Sequence, residues 1–378
     1  VDFIEEANDM KAAVYYGPGD IRIEEVKTPQ APPEGVVLKV HACGVCNVMD
    51  VDAWIRWPVG GLGVGFARGH EWAGEIVEVG SRVTGFEVGD RIFQNPVFRP
   101  CYKCEYCRMG DYWRCVSWRD GLAQYGVHGG FAEYLLIPVV TQESAAKMPN
   151  DVSFRDLALI EPIYLGLGIG KKARPGETVV VLGQEVMGLA VLCKLREIGA
   201  RKVITADVSA RCREASAELG ADVVVDPLKE DVVQAVMRET GGWGADVVIV
   251  VDTRPAALLA AIGSVKRAGR IWLAAYYYSP FRVSPAIKPD PTYTRWIGPE
   301  ASYTEPPVAF DPALLSMQCV WSTLGPRVPR WLEAAELIKS GKITAEKHVT
   351  HVFPLDRIRE AFETAATSHD AIKVVVEM

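Results

Sequence analysis

Five apolar runs (TVVVL, KVITA, ADVVV, ADVVIVV and RIWLAA) follow one another from residue 178, separated by helical stretches at 186–198, 209–219, 229–239 and 255–267. Runs of this kind have no polar face, so each strand has to be covered on both sides. Strands alternating with helices of this length meet that demand as a doubly wound parallel sheet with helices on both faces. The middle of the chain is therefore expected to be α/β.

The flanks are built differently. Residues 10–150 carry short strand-like runs (VVLKV, AGEIVEVG, FAEYLLIP) between turn residues, the pattern of a β-rich domain. Residues 1–9 read as an acidic extension before that domain opens at MKAAVYY. After residue 300 come the helical stretches PRWLEAAELIKSG and LDRIREAFETA and a terminal strand, AIKVVVEM. The expected organisation is a β-rich domain over 10–163, an inserted α/β domain over 164–310, and a segment, 311–378, that returns to the first domain. Residues 276–312, rich in Pro and Tyr, read as a long ordered loop or a lid.

Charge and hydropathy narrow the partners. A net charge of −7 with no basic block makes nucleic acid and anionic membrane poor candidates. No apolar run approaches the about 18 residues of a spanning helix. The acidic start lacks the apolar segment of a secretory signal, so a cytoplasmic location is the expectation.

With that location, the nine cysteines argue for metal ligation over disulfides. Cys101, Cys104, Cys107 and Cys115 stand in the spacing C-x2-C-x2-C-x7-C. Four thiolates so close form a closed tetrahedral sulfur cage, which suits a structural zinc ion. A second constellation consists of Cys46, His70 with Glu71 in GHE, and Glu161 in EP. One Cys, one His and one Glu supply the three protein ligands of a catalytic zinc with an open position. Taken singly, each residue is also an ordinary core or loop residue.

The stretch VVVLGQEVMG places a turn between strand and helix, where backbone N–H groups can hold a pyrophosphate. The pattern G-x-G-x-x-G appears as Gly183-Gln184-Glu185-Val186-Met187-Gly188, with Glu185 at the middle glycine. Asp207 ends the second strand, 24 residues after Gly183. A carboxylate there accepts from ribose hydroxyls and repels a 2′-phosphate, which favours NAD over NADP; it also suits the N-terminus of the next helix. The candidate cofactor contacts are Gly183, Glu185, Val186, Met187, Gly188, Asp207, Arg211, Ala275 and Tyr276.

Together these features resemble the zinc-dependent medium-chain alcohol dehydrogenase family, in its sorbitol, threonine and butanediol dehydrogenase branch. The resemblance spans Met10 to Met378 and includes the four-cysteine lobe, GHEWAGEIVEVG, GGFAEYLLIP, EPIYLGLGIG and AIKVVVEM, in the family's order. It implies a GroES-like catalytic domain with a Rossmann domain inserted in it, an active site in the cleft, and a homodimer or homotetramer. It implies a catalytic zinc on Cys46, His70 and Glu161, with Glu71 as the alternate carboxylate, and a structural zinc on the four cysteines. Cys43 matches no ligand position and is expected to be a packed thiol. The implied reaction is hydride transfer between a secondary alcohol (a polyol, sugar-like or cyclic alcohol) and NAD, giving a ketone.

The resemblance fails at three neighbouring positions. Val48 replaces the Ser or Thr that starts a proton relay, Met49 replaces a carboxylate that orients the zinc histidine, and Val51 replaces a further His. Asp50 or Asp52 can take over the orienting role after a one-residue shift, with Glu71 or Glu161 as general base. Val48 also reads as the wall of an apolar pocket, beside Trp54, Trp57 and Tyr276–Tyr278. The missing relay and missing glycine also motivate an alternative: a redox-neutral enzyme that performs elimination or epimerisation through a transient ketone. A non-enzymatic binding protein keeping only the structural zinc is the third reading.

Overall fold

The computed structural model describes residues 9–55, 64–94, 103–108, 129–142, 144–252, 254–274, 316–319 and 328–378. The chain divides into two compact units, one of residues 1–161, 325–365 and 373–378, the other of residues 162–324 and 366–372.

In the second unit six strands form one parallel sheet, in the order Val223–Val225, Lys202–Ala206, Thr178–Leu182, Ala245–Val250, Val265–Leu273 and Ser316–Cys319. All five residues of Thr178–Leu182 are buried, as a strand at the centre of a doubly wound sheet must be. The core on one face joins Val180, Leu182, Ile204, Val248 and Val250 to Val232, Val236, Ala257 and Ala261 of the helices. The helices are Val186–Glu197, Ala210–Glu218, Val232–Glu239 and Pro255–Ser264. Ser209 and Asp231 cap two of them by accepting from backbone N–H groups three residues on.

Two boundaries differ from the sequence expectation. The helix expected over 255–267 ends at Ser264, because Val265 already pairs with Ala245. The register then jumps to Val247 against Arg270, and Ala268 takes a positive φ of 57° inside the irregularity. The return expected from residue 311 starts later. Ser316–Cys319 is the sixth parallel strand of the sheet, a short half-polar run with no helical pattern before it to complete the alternation.

The first unit is β-rich. A sheet in the order Val349–Pro354, Lys373–Glu377, Val36–Gly44 and Glu71–Val79 is joined by Tyr134–Ile137 on Val36–Gly44. A second sheet orders Asp20–Lys27, Asp9–Gly17 and Phe66–Ala67. The terminal strand thus pairs directly with the strand that leads into Cys46. Among the described residues no helix is long and apolar enough to cross a membrane.

The turn Gly183–Gly188 shows why two of its glycines are needed and a third is not. Gly183 has φ +94°, where a side chain is strained, and a Cβ on Gly188 would overlap the Gly183 carbonyl oxygen. Glu185 precedes the helix at φ −69°, ψ −176°, which any residue adopts. Gly188→Ala is therefore expected to destabilise the second unit by about 3 kcal/mol through overpacking, measured as a lowered urea midpoint, whereas Glu185→Ala leaves the midpoint near wild type.

Candidate functional site

The strand Val36–Gly44 delivers Cys46 to a short loop before the helix Asp50–Ile55. Cys46 acts there like a helix cap: its Sγ accepts from the Met49 N–H at 3.3 Å, and its carbonyl accepts from the Asp50 N–H at 3.0 Å. His70 follows Gly69, whose φ of +98° turns the chain between Phe66–Ala67 and Glu71–Val79. Gly130 and Phe131 donate their N–H groups to the carbonyls of Gly69 and Arg68, at 2.8 and 2.9 Å, and hold that turn in place.

These two turns bring Cys46, His70 and Glu71 together. One ligand atom from each lies within 4.8 Å of the others, and all three residues are buried. Glu71 also forms a buried ion pair with Lys373, the first residue of the terminal strand. Burial pushes the Cys46 thiol well above its ordinary pKa, helped by the charges of Glu71, Asp50 and Glu161 and opposed by Lys373. A thiol, an imidazole and a carboxylate converging in a buried cluster form a donor set that fits zinc. Glu161 is buried at the start of the helix Ile160–Gly170, outside the three-residue cluster but near enough to Cys46 to act on its thiol.

Asp50 and Val48 are buried beside the cluster. Trp54 packs edge-on against the Phe362 ring at 5.8 Å, a packing contact. Cys43 is a buried free cysteine. Of the four-cysteine lobe, Cys104 is half-buried just before the helix Glu105–Arg108. Cys101 and Cys115 lie outside the described residues, as do the Cys107 side chain, Trp57, Ala275 and Tyr276–Tyr278.

In the second unit, Gly183, Val186, Met187 and Gly188 are placed at the N-terminus of the helix Val186–Glu197, with Glu185 half-buried before it. Asp207 is buried. Its carboxylate accepts from the Gln184 N–H at 2.7 Å and from the Ser209 N–H at 2.8 Å, tying the turn to the end of the second strand. Arg211 is exposed on the next helix. Sequence reasoning missed Asp252, which follows Ala245–Val250, lies against Gly183 and pairs with Arg254. Burial raises its carboxyl pKa, and Arg254 opposes the rise. It also missed Lys373 and Arg68; the available signal was a basic residue inside a run otherwise fit for burial.

Two family descriptions match the chain: "Alcohol dehydrogenase GroES-like domain" over residues 32–150 and "Zinc-binding dehydrogenase" over 186–295. A sorbitol dehydrogenase of Bacillus subtilis is 33% identical over 267 residues, covering 70% of this chain and 74% of that protein. An L-threonine 3-dehydrogenase of Pyrococcus abyssi is 31% identical, covering 94% and 93%. Among solved structures, a zinc-binding dehydrogenase of Sinorhizobium meliloti 1021 bound to NADP superposes with a TM-score of 0.75 at 26% identity, covering 98% and 99%. The chain belongs to the zinc-dependent alcohol dehydrogenase family of medium-chain dehydrogenases and is an oxidoreductase of GroES-like and Rossmann architecture.

The Glu71–Lys373 pair carries a stability consequence. Removing one member of a buried ion pair leaves an uncompensated charge, at a cost of about 3–5 kcal/mol. Lys373→Met is expected to lower the stability of the metal-free chain by that order, measured by urea unfolding after chelation.

Proposed function

We propose that the chain oxidises a secondary alcohol of a small hydroxylated or cyclic molecule to a ketone, with NAD as the hydride acceptor and zinc held by Cys46, His70 and Glu71. The convergence of these three buried side chains carries the reading. When bound, zinc supplies a Lewis acid for the alcohol oxygen and NAD takes up the hydride. Cys46 and His70 are held by their turns before any ligand arrives, so the donor set is preorganised. Lys373 pairs with Glu71 in a buried setting and places a cation beside the carboxylate that would serve as the third ligand.

Val48 can neither give nor take a proton, which leaves the proton of the substrate hydroxyl to a carboxylate. Glu161, buried and electrostatically coupled to Cys46, is the group we assign to that task. Relatives named as sorbitol and threonine dehydrogenases support net oxidation; they lend nothing to the redox-neutral alternative.

At the cofactor, Gly183 makes the turn and Gly188 lets the helix pack closely on it, so that the helix N-terminus would meet the pyrophosphate and Asp207 would accept from the adenosine ribose. Asp207 already accepts two backbone N–H bonds, and a carboxylate has further lone pairs for ribose hydroxyls. A 2′-phosphate would meet its charge, so NAD rather than NADP is the assigned cofactor.

The reading is tested with zinc-replete protein, NAD and a panel of secondary alcohols. NADH absorbance should rise in step with ketone formed, and Cys46→Ser should reduce the rate to background. Substrate consumption with no NADH, or full activity in Cys46→Ser, would sink it. A second measurement addresses Glu185, whose carboxylate stands at the helix end that binds the pyrophosphate. Glu185→Gly removes a like charge there at little cost to the helix cap. NADH is expected to bind about 2–5-fold more tightly, the effect of one charge near a helix terminus, read by fluorescence titration.

A further inference from the structure

Asp50 and Arg68 are both charged and both buried. A buried pair of this kind is a poor stabiliser compared with apolar residues of the same volume. This one is not optimised even as a pair. Asp50 Oδ1 stands 3.6 Å from Arg68 Nε, and neither that oxygen nor Arg68 Nη1 has a hydrogen-bond partner among the described residues. Buried polar atoms left in that state call for an explanation other than stability.

Their connections supply one. Asp50 uses its other oxygen, Oδ2, to accept the Cys46 N–H at 3.0 Å, so its carboxylate grips the residue that carries the thiol. Cys46 answers through its carbonyl and Sγ, which accept the N–H groups of Asp50 and Met49. Arg68 lies two residues before His70. Its carbonyl is fixed by the Phe131 N–H, and its guanidinium lies over the Tyr15 ring at 5.1 Å. From that anchored position Nε faces Asp50, and Nη2 donates to the Met49 carbonyl at 3.4 Å. The Cys46 turn and the His70 turn are far apart in sequence, and Arg68 reaches from one to the other.

We infer that Asp50 and Arg68 are the positioning residues of the metal site, a charged strut that sets the Cys46 turn against the His70 turn. The inference rests on the zinc reading of Cys46, His70 and Glu71. It locates the orienting function that Met49 cannot perform: the carboxylate has moved one residue along the chain and acts on the backbone of Cys46, and Arg68 carries its hold across to the histidine. An apolar pair of equal volume would fill the same space without fixing a direction.

The test uses the full chain loaded with cobalt, whose visible bands report ligand geometry and whose ultraviolet charge-transfer band reports thiolate ligation. Cys46→Ser serves as the reference that removes this site and leaves any other thiolate site in place. The variants are Asp50→Asn, which keeps the shape and an acceptor for the Cys46 N–H, Arg68→Met, and the conservative Arg68→Lys. Cobalt affinity by chelator competition and the thermal midpoint of the metal-free chain are measured alongside. Asp50→Asn and Arg68→Met are expected to shift the visible bands and weaken cobalt binding about 10- to 100-fold, as loss of an orienting partner does, with partial recovery in Arg68→Lys. Unchanged bands and affinity, with only the metal-free midpoint lowered, would make the pair a plain core contact and overturn the inference alone. A wild-type chain lacking any cobalt band that Cys46→Ser removes would overturn the zinc reading and this inference with it.

Discussion

The buried contact between Glu71 and Lys373 sets the terms for everything around it. Glu71 begins the strand Glu71–Val79 and Lys373 begins the terminal strand Lys373–Glu377; both pair with Val36–Gly44, the strand that leads into Cys46. Burying a carboxylate is costly unless a cation is paired with it, and here the cation is Lys373, more than 300 residues further along the chain. The return of the C-terminal segment is thus part of the chemistry of the first unit. It adds a strand and also brings the charge that lets a buried glutamate face a thiol and an imidazole.

The fold was legible where burial was two-sided. Thr178–Leu182 and Ala245–Val250 are largely apolar because helices cover both faces, and several such runs alternating with helices call for a parallel sheet. The sixth strand escaped because Ser316–Cys319 is short and half polar. The helix end at Ser264 escaped because the irregularity that follows, with Ala268 at positive φ, has no composition of its own. In the site, residue types singled out Cys46, His70 and two carboxylates, with Glu161 preferred and Glu71 as the alternate; spacing could not tell that the fold brings Glu71 to the other two. Arg68 and Lys373 were not, since a lone basic residue is read as exposed until topology puts it in a core. Glu185 looked like damage to a glycine motif; its extended backbone shows that the conformation of the turn does not require a glycine there.

The departures at residues 48 and 49 take on a different meaning beside these cations. Where the family resemblance implies a hydroxyl and a carboxylate, the Cys46 loop carries Val48 and Met49. The charged contacts of the region come from Asp50, Arg68 and Lys373. That trade exchanges groups able to move protons for groups able to hold position and charge.

Counted at formal charges, Asp50, Glu71 and Glu161 oppose Arg68 and Lys373 and leave one net negative charge around a neutral Cys46 thiol. A divalent cation held there would displace the thiol proton, because thiolate is the form that ligates. The dication and the thiolate together would add one positive charge and make the cluster neutral. A buried region is least costly at zero net charge, so the acidic groups that join burial in raising the Cys46 thiol pKa would also favour a divalent ion. A site with one more cation would favour the thiolate but repel the metal; one with one fewer would leave Glu71 or Asp50 unbalanced. On the zinc proposal, the two buried basic residues would match the ligand charge in number, a relation that their places in the packing alone do not require.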